Sequence, residues 1–143
     1  MRRVRRWGMG GAISATLAVG VAAVASGAVA GAYRGTTSQR KAVSFNLGSG
    51  EVRNFKIVIL DKCPDGHTLQ VTGKYPTMKV KQGKFGGRFV PVGAHRGEVA
   101  TLKGTVGRRK VTGSLNDTSF STRERALCRG STTFTAHHVV PRK

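Results

Sequence analysis

Acidic residues are scarce in this 143-residue chain: 6 Asp and Glu stand against 25 Lys and Arg, which gives a formal charge of +19. Proline is also rare, with 4 residues, and the 20 glycines follow no regular period, which excludes a collagen-like chain. The hydrophobic content of 38% is too high for wholesale disorder. The length is close to that of one typical domain, which argues against a multidomain enzyme.

Patterns typical of catalytic and metal sites are missing as well. The carboxylates are scattered singly, and the one close pair, Asp61 and Asp65, flanks Cys63 in an expected turn, whereas a glycosidase needs two carboxylates placed across a cleft. The four histidines fall in expected loops or on opposite faces of a strand: His67, His95, His137 and His138. The sequence contains no nucleophile elbow, phosphate loop, zinc spacing or calcium loop. We therefore predict no enzymatic activity, no cofactor and no metal site.

The first thirty residues differ in composition from the rest of the chain. Arginines at positions 2, 3, 5 and 6 precede a run over residues 7–33 that contains no charged residue. This run ends in small residues, and a basic start, an apolar middle and a small-residue end are typical of a secretory signal peptide. We therefore expect a signal helix over residues 1–30, cleavage near Ala30 or Ala32, and a secreted protein.

Two alternatives concern this leader. Residues 9–32 are long enough to remain as a membrane anchor, because about twenty helical residues span a bilayer. Ala and Gly contribute little to insertion compared with Leu, Ile or Phe, which favours cleavage over anchoring. The paired arginines also leave open whether export follows the general secretory route or the twin-arginine route.

Beyond the leader, apolar residues recur at every second position, which is typical of strands. Val43, Phe45 and Leu47 show this pattern, residues 55–59 repeat it, and turn-forming residues separate such runs. We predict a short N-terminal extension over residues 31–41 and an all-β domain over residues 42–143: a compact antiparallel sandwich or barrel of about eight strands. Glycines inside the predicted strands are expected to permit strong curvature of the sheet: Gly73, Gly87, Gly104 and Gly113.

The exported part contains two cysteines, Cys63 and Cys128. In an oxidising compartment a pair of this kind most simply forms one disulfide, which here closes a long loop. The alternative of a nucleophilic thiolate needs an unpaired cysteine with a partner histidine. We therefore predict a Cys63–Cys128 disulfide.

Several short motifs occur in a characteristic order along the exported part. They are Tyr33-Arg34-Gly35-Thr36-Thr37-Ser38-Gln39, Val43-Ser44-Phe45, Gly50-Glu51-Val52, Cys63-Pro64-Asp65-Gly66, Gly83-Lys84-Phe85, Cys128-Arg129-Gly130 and Phe134-Thr135-Ala136. In this order the chain resembles a group of small secreted proteins of high-GC Gram-positive (actinobacterial) bacteria. The resemblance implies a secretion signal, a compact β domain and one cysteine pair, and it implies no activity.

Positive charge is the feature that points to a partner. The candidate residues for binding a polyanion lie in three groups: Lys74, Lys79 and Lys81; Arg108, Arg109 and Lys110; Arg123 and Arg125. If residues 75–78 form a tight turn, Lys74 and Lys79 become neighbours. Dense like charge favours an anionic partner, although a basic face that only keeps the protein soluble is the alternative.

We therefore expect a secreted noncatalytic β domain that binds a wall polymer, an acidic polysaccharide, extracellular DNA or an anionic membrane surface. One alternative is a nucleic-acid-binding β domain, because Phe85 and Phe89 share a strand face as a stacking pair does. The same parity is typical of core residues, and core is the interpretation we favour. The other alternative is a small secreted hydrolase or inhibitor, for which the sequence offers no residues.

Overall fold

The computed structural model describes residues 2–6, 8 and 27–142, and these residues form ten strands. The strands are β1 (Arg2–Arg6), β2 (Gly31–Thr37), β3 (Ala42–Gly48), β4 (Glu51–Lys62), β5 (Thr68–Tyr75), β6 (Met78–Lys79), β7 (Lys84–Phe89), β8 (Val99–Val106), β9 (Lys110–Ser121) and β10 (Ala126–His138). Within the described ranges, none of the segments is a helix with the length and apolar character that crossing a bilayer requires.

All ten strands belong to one sheet. Its order is β1-β5-β4-β3-β2-β10-β9-β8-β7, and β6 pairs with β4. Every pairing is antiparallel except that of β1 with β5, which is parallel. The all-β prediction is confirmed, whereas the expected sandwich or closed barrel is replaced in the described residues by one continuous sheet. This sheet curls so strongly that β4 and β10 also meet, through Lys62 and Arg129.

The N-terminal boundaries differ from those expected. Residues 31–37 form β2, an inner strand hydrogen-bonded to β3 and β10, rather than part of a short extension before the domain. The Tyr33 side chain is fully buried on this strand. Most of the expected signal helix lies outside the described residues, as does most of the alternative anchor over residues 9–32. Of the described residues of the leader, Arg2–Arg6 form a strand, whereas residue 8 and residues 27–30 belong to no helix or strand.

The predicted alternation correctly identifies the core. Phe45, Phe55 and Ile57 are all buried, and their polar neighbours along the strands face outward. Aromatic rings run through this core, with centroids 5.3 Å apart between Tyr33 and Phe45 and again between Phe45 and Phe55. Stacked and edge-on ring pairs of this kind add to the stability gained from apolar burial.

The predicted disulfide is also present. Cys63 directly follows β4, Cys128 lies in β10, and the two residues are bonded with a Cα–Cα distance of 4.2 Å. The bridge lies beside the Lys62–Arg129 pair. It therefore reinforces the point where the two long strands meet.

Glycines within the strands make room for aromatic rings. A Cβ atom on Gly104 would overlap the ring of Phe85, and one on Gly113 would overlap the ring of Phe134. The rings cover these backbone positions from the core side, since Phe85 and Phe134 are both buried. Close packing of rings on glycine is thus a second reason, beside curvature, for glycine at these positions.

We expect Gly104→Ala to lower the free energy of unfolding by about 1–3 kcal/mol, because the added methyl group must displace the buried Phe85 ring. Urea denaturation of the purified protein measures this loss. Gly48→Ala is the matched control, because a Cβ atom there meets no other atom within 4 Å. Equal losses in both variants would contradict the packing explanation.

Candidate functional site

Three cations surround a bare glycine on the outer face of strands β7 and β8. Gly86 lies directly opposite Lys103, so Lys103 is diagonal to both Lys84 and Arg88 on the neighbouring strand. Diagonal neighbours in an antiparallel pair lie about 7–8 Å apart. Gly86 has a φ of 136°, and a Cβ atom there would overlap the backbone carbonyl of Leu102. Gly86 is itself exposed, so the three exposed charges surround accessible backbone.

A tight hairpin adds a fourth cation directly beside these three. Lys81 and Lys84 exchange two backbone hydrogen bonds, with N–O distances of 2.8 and 2.9 Å. The two residues between them, Gln82 and Gly83, both have positive φ values of 51° and 74°, as a two-residue hairpin loop of type I′ requires. The turn chemistry thus fixes Lys81 opposite Lys84.

Together these residues border a groove of about 1000 Å³. Its cationic border is formed by Lys79, Lys81, Lys84, Arg88 and Lys103, and among its described lining residues there is no carboxylate. Pro76, Met78 and Phe89 contribute apolar surface to the same groove. Glu51 lies opposite Lys79 on β4, but its carboxylate binds Arg53, with 2.8 Å between a carboxylate oxygen and Arg53 Nη2. We call this feature the basic groove.

The structure divides the first predicted cationic group. Lys79 and Lys81 line the basic groove, whereas Lys74 lies opposite Lys56 on β4. Lys79 lies opposite Glu51, which is also on β4 and is five positions away from Lys56. The connection over residues 75–78 therefore continues along β4 instead of reversing, and the conditional expectation that Lys74 and Lys79 are neighbours is wrong.

The second predicted group forms the β8–β9 hairpin and lies apart from the groove lining. The side chains of Arg108, Arg109 and Lys110 are exposed. The backbone of this hairpin forms hydrogen bonds with residues near the start and the end of the described β domain. The carbonyl oxygens of Arg108 and Arg109 accept hydrogen bonds from the amides of Val29 and His138, at 2.8 and 2.9 Å. This hairpin therefore has a structural role through its backbone, while its side chains are free to face solvent.

The third predicted group lies in the turn between β9 and β10. Arg123 and Arg125 are exposed there, and Arg123 lies close to the turn that contains Asp65 and His67. His67 Nδ1 lies 2.5 Å from an Asp65 carboxylate oxygen and 3.7 Å from one of Glu124. Desolvation raises the pKa of Asp65, but the hydrogen bonds from His67 and the charges of His67 and Arg123 outweigh it, and the net pKa is lowered. The cluster ties two turns together beside the disulfide.

The proposed stacking pair is largely part of the core. Phe85 is buried and packs 6.1 Å from Phe55 between ring centroids. Phe89 is half-buried and packs edge-on against Tyr75, with centroids 5.1 Å apart. The preference for a core role is confirmed for Phe85, while Phe89 presents part of its surface to the basic groove.

Three cations of the basic groove were not among the residues predicted to bind a polyanion: Lys84, Arg88 and Lys103. The alternation of Lys84, Gly86 and Arg88 along one face of β7 is a local signal that could have pointed to two of them. Lys103 joins them only through the register of β7 against β8, which the sequence does not display.

Comparison with known proteins assigns no role to this groove. No protein family, curated protein or solved structure matches the chain. Any function therefore has to follow from the charges and shape of the residues themselves.

Proposed function

We propose that this chain is an exported, noncatalytic β domain that binds an anionic extracellular polymer in the basic groove. The observation that carries the proposal is the border of five cations with no carboxylate among the described lining residues. Lys84, Arg88 and Lys103 are placed around Gly86 by strand register rather than by flexible loops. Their mutual repulsion is relieved when an anionic ligand lies between them.

The chemistry of the groove fits a flexible chain that carries repeated phosphate or carboxylate groups. Arg88 has the planar guanidinium that binds such groups with two parallel hydrogen bonds, and the lysines supply compact charges that tolerate different geometries. Pro76 and the exposed part of Phe89 can pack against the less polar backbone of the polymer. This combination favours a wall polymer or an acidic polysaccharide over a small anion, because several charges must be neutralised at once.

Two features support export. The leader has the composition of a signal peptide, with arginines at positions 2, 3, 5 and 6 followed by an uncharged run. The Cys63–Cys128 disulfide is of the kind that persists in oxidising compartments outside the cytosol. An extracellular wall polymer and an exported basic domain would then occupy the same compartment.

Binding to heparin and to purified anionic wall polymer tests the proposal. We expect affinity to fall about tenfold to a thousandfold between roughly 50 and 200 mM salt, because bound cations release the counterions of the polymer. Replacing Lys84, Arg88 and Lys103 together with glutamine should weaken binding at least about tenfold at fixed salt and flatten the salt dependence.

The hairpin provides a control of equal charge. Replacing Arg108, Arg109 and Lys110 with glutamine removes the same three charges away from the groove lining, and it should weaken binding only about twofold to threefold through long-range attraction. Equal losses in the two triple variants would show diffuse attraction and overturn the groove as the site. Absence of binding by the wild type at 50 mM salt would overturn the function itself. Binding to single-stranded DNA of two unrelated sequences is measured as well, because a preference for one sequence at high salt favours a nucleic-acid-binding domain.

A further inference from the structure

Three of the six Asp and Glu side chains of this chain are buried close together. Asp61, Glu98 and Asp117 are at most 3% exposed. Glu98 accepts hydrogen bonds from the backbone amides of His95 and Phe120, at 2.9 and 2.8 Å. Backbone donors of this kind hold a carboxylate in a fixed position before any cation arrives. We call these three residues the buried carboxylates.

The side chain of Arg5 occupies the space between two of them. Its Nη2 lies 3.5 Å from a Glu98 oxygen and its Nη1 lies 3.4 Å from an Asp117 oxygen, and its side chain is 3% exposed. Arg3, two positions earlier on the same strand, reaches Glu98 at 3.2 Å and also hydrogen-bonds the carbonyl oxygen of Phe120. Alternate arginines of one strand thus converge on the buried carboxylates.

The backbone of this strand is added to the edge of the sheet. β1 pairs in parallel with β5, from Arg2 opposite Gln70 to Arg6 opposite Lys74, and no other strand among the described residues pairs with it. Between the two arginines, Val4 is 62% exposed and packs into no core. The strand is therefore held by its backbone ladder and its arginines, which is how an extended peptide is recognised at a sheet edge.

We propose that the edge of β5, together with Glu98 and Asp117, forms a binding site for an extended peptide with the pattern Arg-x-Arg. Residues Arg2–Arg6 fill this site within the chain. The exported form, which lacks residues 1–30, accepts the same pattern from a second protein. This second statement rests on the proposed export, and neither statement depends on the basic groove.

The geometry selects guanidinium over ammonium. Glu98 precedes β8 and Asp117 lies in β9, so one side chain must reach two carboxylates on different elements at once. A planar guanidinium offers separate nitrogens to the two partners, whereas a lysine ammonium is a single compact charge. Long-range attraction cannot explain such binding, because the exported form carries about +15 and repels a cationic peptide.

The first test uses the full chain. Arg5→Ala vacates the space between Glu98 and Asp117. About 10 mM guanidinium should then raise the melting temperature of this variant by about 3–6 °C, because a ligand that binds only the folded state stabilises it. Ammonium at equal ionic strength should leave it unchanged, and so should guanidinium with wild type or with Arg34→Ala, which removes an exposed arginine of β2. Equal effects of guanidinium and ammonium would overturn the site.

The second test uses the protein purified from culture medium and synthetic peptides. The peptide Arg-Arg-Val-Arg-Arg should bind at least about tenfold more tightly than Lys-Lys-Val-Lys-Lys, and Glu98→Gln should abolish the difference. Hydrogen exchange provides a second readout: the arginine peptide should slow exchange at residues 70–74, which pair with β1 in the full chain. Equal binding of both peptides, or no protection there, would overturn the proposal, whatever the result with heparin.

Discussion

Loss of the Cys63–Cys128 disulfide is expected to lower the free energy of unfolding by about 4 kcal/mol. The two cysteines are 65 positions apart in the sequence, and opening a loop of that length returns chain entropy of about this size to the unfolded state. A domain of this size is typically stable by only about 5–15 kcal/mol. Urea denaturation of the oxidised protein beside the Cys63→Ala/Cys128→Ala variant measures the difference.

The same experiment on reduced wild-type protein separates the bond from the side chains. Cys128 is fully buried, so alanine at this position also removes packing, whereas reduction leaves both sulfur atoms in place. Similar losses in the reduced protein and in the double variant would assign the effect to the bond. A loss below about 1 kcal/mol on reduction would contradict the loop-entropy explanation and indicate that the pairing of β4 with β10 suffices.

Replacement of Asp61 by asparagine is expected to stabilise the protein by about 1–3 kcal/mol at pH 8 and to have little effect near pH 4. Burial, followed by the hydrogen bond and charge of Asp117, raises the pKa of Asp61 from 3.8 to about 9. The folded protein therefore keeps the Asp61 proton through a pH range in which the unfolded chain has lost it. Between pH 4 and 9 the unfolded state binds fewer protons, so stability falls as pH rises.

Melting temperatures of wild type and Asp61→Asn between pH 4 and 9 check this prediction. The groups around Asp61 are Asp117 and Ser119 on β9, Arg5 on β1 and Tyr75 on β5. Glu98→Gln is the control for a pH dependence of opposite sign. Desolvation raises the pKa of Glu98, but the backbone hydrogen bonds and the charges of the arginines outweigh this effect, and the net pKa is lowered. Its stabilising contribution is therefore present at neutral pH and lost in acid. If the melting temperatures of wild type and Asp61→Asn change with pH in parallel, the explanation through the raised pKa of Asp61 is contradicted.

Strand positions that alternate clearly in hydropathy were predictable, and β2 was not. On β3 and β4 every buried position except Asp61 carries an apolar side chain, as Phe45 and Ile57 show. On β2 the inward positions are Tyr33, Gly35 and Thr37, of which only Tyr33 is strongly apolar. Gly35 packs so closely on the backbone of β10 that a Cβ atom would overlap the carbonyl of Thr135. Because close backbone packing leaves no signal in the hydropathy pattern, the residues of β2 were predicted to belong to an extension before the domain.

The basic groove was predictable only as far as its residues are neighbours in the chain. Lys79 and Lys81 lie two positions apart, and the sequence shows them as a pair. Lys103 joins Lys84 and Arg88 through a strand pairing, and pairing register depends on contacts between distant segments. The buried carboxylates were missed for the same reason, since Asp61, Glu98 and Asp117 come from different parts of the chain.

If residues 1–30 are a cleaved leader, as proposed, the backbone contact between residue 29 and the β8–β9 hairpin constrains when the leader is removed. In the folded domain, the Val29 amide donates to Arg108, the Tyr33 hydroxyl donates to the Val29 carbonyl at 2.6 Å, and β2 begins at Gly31. A peptidase needs an exposed, extended backbone that it can draw into its cleft. If export proceeds as proposed, cleavage near Ala30 has to be complete while the chain is still unfolded. A molecule that folds first holds the backbone on both sides of its scissile bond in hydrogen bonds, and it keeps its leader.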